Sequence, residues 1–176
     1  MNLPNKLTIL RVILVPFFIL AFLKEQYLIA CILFCLASIT DALDGQIARK
    51  HNLITNFGKI MDPLADKILV YSALCLFLQI GIIKGWMLIV ILAREFIVAG
   101  MRTVAASEGR VLAAGMSGKI KTVLQMIGVI IMILGLAVPS KEAILQIGSL
   151  IFFASIIMTI YSGCEYIYKN RDVFSM

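Results

Sequence analysis

Apolar runs of about twenty residues recur along the chain, each closed by a short polar or glycine-bearing break. The runs cover residues 7–23, 27–48, 60–83, 86–106, 117–138 and 143–168. A hydrocarbon core about 30 Å thick needs roughly 20 residues of helix, so each run is long enough to cross it. The breaks are Lys24-Glu25-Gln26, residues 52–58, 81–85 and 108–118, and Pro139-Ser140-Lys141, which combine turn formers with charge. The pattern predicts an all-α polytopic membrane protein with six transmembrane helices. A polar, Pro-containing stretch over residues 2–11 precedes the first helix and is expected to form a short N-terminal interfacial segment. No small-residue cleavage site follows Leu23 and the second run starts at once, so the first run reads as a retained helix. With no repeat, low-complexity run or soluble stretch, residues 1–176 read as a single membrane domain.

Composition agrees. At 61% hydrophobic and 15% charged residues, with a mean hydropathy of +1.01, the chain holds more apolar surface than one soluble domain of 176 residues buries. The cations then orient it. With the N-terminus inside, Lys6, Arg11, Arg49, Lys50, Lys59, Lys67, Arg94, Arg102, Arg110, Lys119, Lys121, Lys169 and Arg171 fall on or toward the inner side. Only Lys24, Lys84 and Lys141 fall outside, a division of 13 to 3 among the 16 Lys and Arg. Both termini are therefore expected in the cytoplasm, on a face whose charge attracts anionic headgroups and phosphorylated solutes.

Four acids stand out against this apolar background. Asp41 and Asp44 are three apart in the second run, Asp62 and Asp66 four apart in the third, so each pair shares a helix face. Asp44 lies five residues before Arg49 and Asp62 three after Lys59, while Asp41 and Asp66 lie deeper, at eight and seven from the same cations. In an antiparallel pair those depths match, and four carboxylates are expected to converge. A carboxylate inside a bilayer costs roughly 2.5 to 3.5 kcal/mol on insertion scales, which a bound cation offsets. Oxygen-only ligands suit two Mg²⁺ or Mn²⁺ ions clamping a diphosphate. Salt bridges to Arg49, Lys59 or Lys67 are the plainer alternative. Gly45 allows close approach of a ligand to the helix, or else serves helix packing.

A phosphorylated second substrate would need cations of its own. Arg94, Arg102 and Lys119, with Lys121 as a weaker candidate, are expected to form its phosphate pocket. For Arg94 the plain reading is a pair with an acid such as Glu95, and Arg110 reads as an inside anchor. Cys31, Cys35, Cys75 and Cys164 include no CxxC pair and read as small core residues. His51 is the only histidine, which leaves no material for a His-based zinc site or triad. Nothing marks a nucleic-acid surface. A divalent-cation transporter would also want intramembrane acids, but it would place them near the midplane on repeated or broken helices. A non-catalytic scaffold would need no convergent acids.

Taken together, Asp41-x2-Asp44-Gly45-x2-Ala48-Arg49-x8-Gly58-x3-Asp62-x3-Asp66 resembles the signature of the CDP-alcohol phosphatidyltransferases at every fixed position. Residues 2–11, Ala93-Arg94-Glu95-Phe96, Gly118-Lys119-Ile120-Lys121-Thr122 and Gly163-Cys164-Glu165-Tyr166-Ile167-Tyr168 are similar to the phosphatidylglycerophosphate synthases within it. The resemblance implies transfer of a phosphatidyl group from CDP-diacylglycerol to sn-glycerol 3-phosphate, giving phosphatidylglycerol phosphate and CMP. It implies that Asp41, Asp44, Asp62 and Asp66 hold the two ions, with Asp66 also the general base. It implies that Asp44, Gly45, Ala48, Arg49 and Gly58 line the CDP-diacylglycerol site. It further implies a homodimer among membrane lipids, in a bacterial-type plasma (inner) membrane with a cytoplasmic active site. Inositol phosphate, serine or phosphatidylglycerol are the alternative acceptors within the family.

Overall fold

The computed structural model describes residues 3–50, 56–113, 115–139 and 141–174, with side chains described over the same residues except 3–6, 41–50, 56–60, 62, 63, 66, 141 and 174. Among the described residues there are six α-helices and no strand. They are α1 (Leu3–Leu23), α2 (Tyr27–Lys50), α3 (Asn56–Gln79), α4 (Gly85–Ser107), α5 (Met116–Ala137) and α6 (Lys141–Lys169), followed by a 3₁₀ turn at Arg171–Phe174.

Three helices end in the same hydrogen-bonded motif. After α3, Ile82 N–H donates to Phe77 C=O and Gly81 N–H to Leu78 C=O, with Gly81 at φ 77°. After α4, Arg110 donates to Ala105 and Gly109 to Ala106, with Gly109 at φ 75°. After α1, Gln26 donates to Ala21 and Glu25 to Phe22. This is the Schellman arrangement, whose left-handed residue is usually glycine. At the first turn that residue is Glu25, at φ 58°.

One expectation is corrected. The third helix stops at Gln79, not at residue 83, because the left-handed Gly81 turns the chain although Ile80, Ile82 and Ile83 extend the apolar run. The segment expected at the interface is helical from Leu3 and forms the first two turns of α1, where Pro4 sits at a position whose N–H needs no partner. Arg11 within it is fully buried, as is Thr8 one turn earlier.

α1 packs against both α2 and α3, which touch each other only sparingly; α5 packs most extensively against α6, and α4 also lies on α6. Neighbouring pairs fix the directions. Phe22 meets Tyr27 and Phe18 meets Phe34, so α1 and α2 are antiparallel. Gly128 faces Phe152 and Gly135 faces Leu145, so α5 and α6 are antiparallel too. α4 runs parallel to α6, with Trp86 on Phe153 and Arg102 on Tyr166. One end of the bundle is closed by Phe22, Tyr27 and Phe77, with ring centroids 5.2 to 5.9 Å apart. The other gathers Lys67, Arg94, Glu95, Arg102, Lys121 and Tyr166.

Large apolar side chains cover the outside of the bundle as well as its core, and several polar groups lie inside. Phe17, Ile89, Phe96 and Leu150 are exposed, while Arg11, Lys121, Gln125, Ser155, Thr159 and Ser162 are buried. The buried hydroxyls of α6 donate to carbonyls one turn back, Ser155 to Phe152 at 2.6 Å and Thr159 to Ser155 at 2.7 Å, and so need no outside partner. α5 and residues 142–169 are long and apolar enough to cross a membrane, each with a hydropathy of 2.2.

Candidate active site at the charged end of the bundle

Glu95 is the centre of the charged end. From α4 its carboxylate meets Arg94 Nη1 at 2.9 Å, Lys121 Nζ of α5 at 2.5 Å and Lys67 Nζ of α3 at 3.5 Å. Only 14% of its side chain and 7% of that of Lys121 are exposed, so water screens little of this attraction. Ion pairs from three sides compensate for removing this carboxylate from water on an otherwise apolar helix.

Arg94 runs through a slot between α5 and α6. A methyl group at Gly118 would lie 3.0 Å from its Nη2, and one at Gly163 would lie 3.1 Å from its Cγ. Any larger residue at either place would enter the volume that the arginine occupies. Its Nε is buried with no hydrogen-bond partner among the described residues. Two turns along α4, Arg102 Nε donates to the Tyr166 hydroxyl at 3.1 Å, and its guanidinium lies 5.5 Å from that ring's centroid.

These groups border one open cavity of about 690 Å³, lined by Arg94, Glu95, Arg102, Lys119, Lys121 and Tyr166 among others. Gly115 and Gly118 line it as well, so the N-terminus of α5, with its unpaired first-turn N–H groups, forms part of the wall. All four cations singled out for a phosphate pocket are thus brought to one space, Lys121 included. A smaller cavity of about 60 Å³ lies beyond the Glu95–Lys121 pair, toward Lys67, Tyr71 and Gln125. Another, about 170 Å³, lies on the far side of Arg94, where Ser117 donates to Glu165 and Glu165 pairs with Lys169.

Asp41 and Asp44 lie on α2, Asp62 and Asp66 on α3, with helical backbone at all four and also at Gly45, Ala48, Arg49 and Gly58. The side chains of these eight residues, and all of His51, lie outside the described residues. Lys67 directly follows Asp66 and reaches Glu95, which sets that level of α3 beside the cationic cavity. Among the described residues no three His, Cys, Asp or Glu gather around a metal-sized space, and the four cysteines are free.

Sequence reasoning put Glu95 beside Arg94 but missed that it also holds Lys67 and Lys121. Tyr166 was missed as a partner of Arg102; the only signal for either was a polar group deep in an apolar run. Arg110, read as an anchor, pairs with Asp172 of the C-terminal turn.

Comparison with known proteins agrees along the whole chain. It is 42% identical to the CDP-diacylglycerol–glycerol-3-phosphate 3-phosphatidyltransferase of Bacillus subtilis, covering 97% of this chain and 96% of that one. It is 40% identical to the protein of the same name from Rickettsia felis, over 98% and 97% of the two chains. Against that from Sodalis glossinidius it is 32% identical over 99% and 98%. The family model described as CDP-alcohol phosphatidyltransferase matches residues 1–161, a span that takes in both aspartate helices and the four cations of the cavity; the chain belongs to that family.

Proposed function

We propose that this protein transfers the phosphatidyl group of CDP-diacylglycerol to sn-glycerol 3-phosphate, releasing CMP and phosphatidylglycerol phosphate. The observation that carries the reading is the single cavity lined by Arg94, Arg102, Lys119 and Lys121, set beside the level of α3 that bears Asp66. An acceptor with its own phosphate needs such a cluster; serine, which has none, does not. Relatives of near-equal length that carry the corresponding name support the same acceptor.

The donor set on α2 and α3 suits hard divalent cations. Four carboxylates at helical spacings of three and four supply only oxygen, the chemistry preferred by Mg²⁺ and Mn²⁺. Asp41, Asp44, Asp62 and Asp66 would hold two such ions, which neutralise the charge of the diphosphate. Arg49, one turn beyond Gly45, would add a cation to the nucleotide side, and Gly45, Ala48 and Gly58 would leave room for it.

The remaining steps belong to the chain. Arg94, Arg102, Lys119 and Lys121 bind the acceptor's phosphate, which points its free primary hydroxyl toward α3. That hydroxyl attacks the phosphatidyl phosphorus of CDP-diacylglycerol, the bond from this phosphorus to the CMP oxygen breaks, and CMP leaves with the electron pair. The hydroxyl proton passes to Asp66. The exposed apolar side chains on the outside of the bundle support six membrane spans, and the 13 to 3 division of cations supports a cytoplasmic active site. Purified protein should release CMP only when sn-glycerol 3-phosphate and Mg²⁺ or Mn²⁺ are both present. Asp66→Asn should lower that release about 10²- to 10⁴-fold, and near-normal turnover in this variant would reject Asp66 as the base.

A further inference from the structure

Around and beside the large cavity, five cations meet one acid, Glu95, which holds three of them. Lys67, Arg94 and Lys121 converge on the Glu95 carboxylate, while Arg102 and Lys119 line the same cavity with no acidic partner among the described residues. Lys121 is only 5% exposed, so its charge would be costly to keep without an anion beside it. A site built to bind phosphate faces that difficulty whenever it is empty.

We propose that Glu95 is the internal anion that holds this site together between turnovers. Its carboxylate keeps Lys67, Arg94 and Lys121 in place from three different helices, and an entering phosphate takes over Arg94 and Lys121 as its own partners. Glu95 is a positioning residue in this scheme. It touches neither the attacking hydroxyl nor the transferred phosphorus, and it acts through the cations. The geometry favours exchange over simple addition, since Glu95, Arg94 and Lys121 all line the large cavity and an anion there reaches the same donors. Both ion pairs border the open cavity, so an entering anion reaches them without parting packed apolar side chains. The inference rests on the proposed function only for what carries the phosphate.

Inorganic phosphate is therefore the probe, with the melting temperature of the detergent-purified full chain as the readout. Without phosphate, Glu95→Gln should melt on the order of 10 °C below the wild type, because Lys121 loses its anion. Phosphate, compared with chloride at equal ionic strength, should raise the variant's melting temperature clearly more than the wild type's and recover a large part of the loss. The apparent KM for sn-glycerol 3-phosphate should fall in the variant while that for CDP-diacylglycerol stays unchanged. A merely structural ion pair would give a loss that phosphate does not repair, and equal phosphate shifts in variant and wild type would overturn the proposal. If Glu95→Gln does not yield folded protein, Glu95→Asp carries the test. Its shorter carboxylate cannot reach all three cations, so its phosphate shift should again exceed the wild type's, and an equal shift overturns the idea. Wild-type protein that releases no CMP with sn-glycerol 3-phosphate would retire that acceptor, and the phosphate shifts would still decide the role of Glu95.

Discussion

Along the α5–α6 seam, Gly128 faces backbone and Gly148 faces both backbone and side chain, whereas Gly118 and Gly163 face the side chain of Arg94 alone. A methyl at Gly128 would lie 3.0 Å from Phe152 Cα and N, and one at Gly148 would lie 2.8 Å from Met132 Cγ and 3.0 Å from Met132 N. At the charged end the corresponding contacts are with Nη2 and Cγ of Arg94. The first pair lets two helices approach closely, as small residues do in membranes. The second pair makes room for a cation. Backbone cannot yield without moving a helix, but a long side chain can swing, so the same substitution should have different costs at the two sites. Near Phe152 it should damage the fold, and near Arg94 it should damage the site.

The largest effect should come from Gly163→Leu, which fills the path of Arg94. A charge displaced by about 1 Å or more costs roughly 100-fold in turnover, and kcat/KM for sn-glycerol 3-phosphate is the quantity to measure. Gly128→Leu should do the reverse, lowering the melting temperature by on the order of 10 °C while CMP release per folded molecule stays within about threefold. Alanine sharpens the contrast. Gly128→Ala should cost about 1–3 kcal/mol in denaturant unfolding, and Gly118→Ala less than about 1 kcal/mol, since only the guanidinium end has to shift.

The sequence-based expectations fared unevenly for physical reasons. All six helices fall close to their expected positions, because apolar length and the punctuation of Lys24-Glu25-Gln26, Gly81, Gly109 and Pro139 are local signals. The end of α3 was misplaced because hydropathy continues through Ile83 while the backbone turns at Gly81. Burial of Arg11 was missed because a cation near a terminus reads as an interface anchor, and only packing of α1 against both α2 and α3 reveals otherwise. Arg94, Arg102, Lys119 and Lys121, grouped from the sequence as an expected phosphate pocket, do line one cavity. Glu95 as its hub was not, since its partners stand on α3 and α5 and their meeting depends on how each helix is rotated.

Smaller effects lie at the helix ends. Two of the three Schellman turns use glycine, and the third forces Glu25 into left-handed backbone. Glu25→Gly should therefore stabilise the protein by about 1 kcal/mol, seen as a rise of a few degrees in melting temperature. The smallest effect concerns Asp172, whose carboxyl is held below the usual carboxylate range first by the hydrogen bond from Arg110 and further by that cation's charge. A lowered folded-state value means that its contribution is complete above the ordinary aspartate range and is lost as pH falls through the lowered value. The pair is exposed, so Asp172→Asn should lower stability only slightly at neutral pH and leave it unchanged at acid pH, which flattens the acid limb of a stability profile.

The central claim is that the cavity at the charged end receives the acceptor's phosphate, and steady-state kinetics of Arg102→Ala and Lys119→Ala test it most directly. Each variant should raise the apparent KM for sn-glycerol 3-phosphate by about tenfold or more while changing that for CDP-diacylglycerol less than about twofold. Equal rises for both substrates, or none for sn-glycerol 3-phosphate, would contradict it.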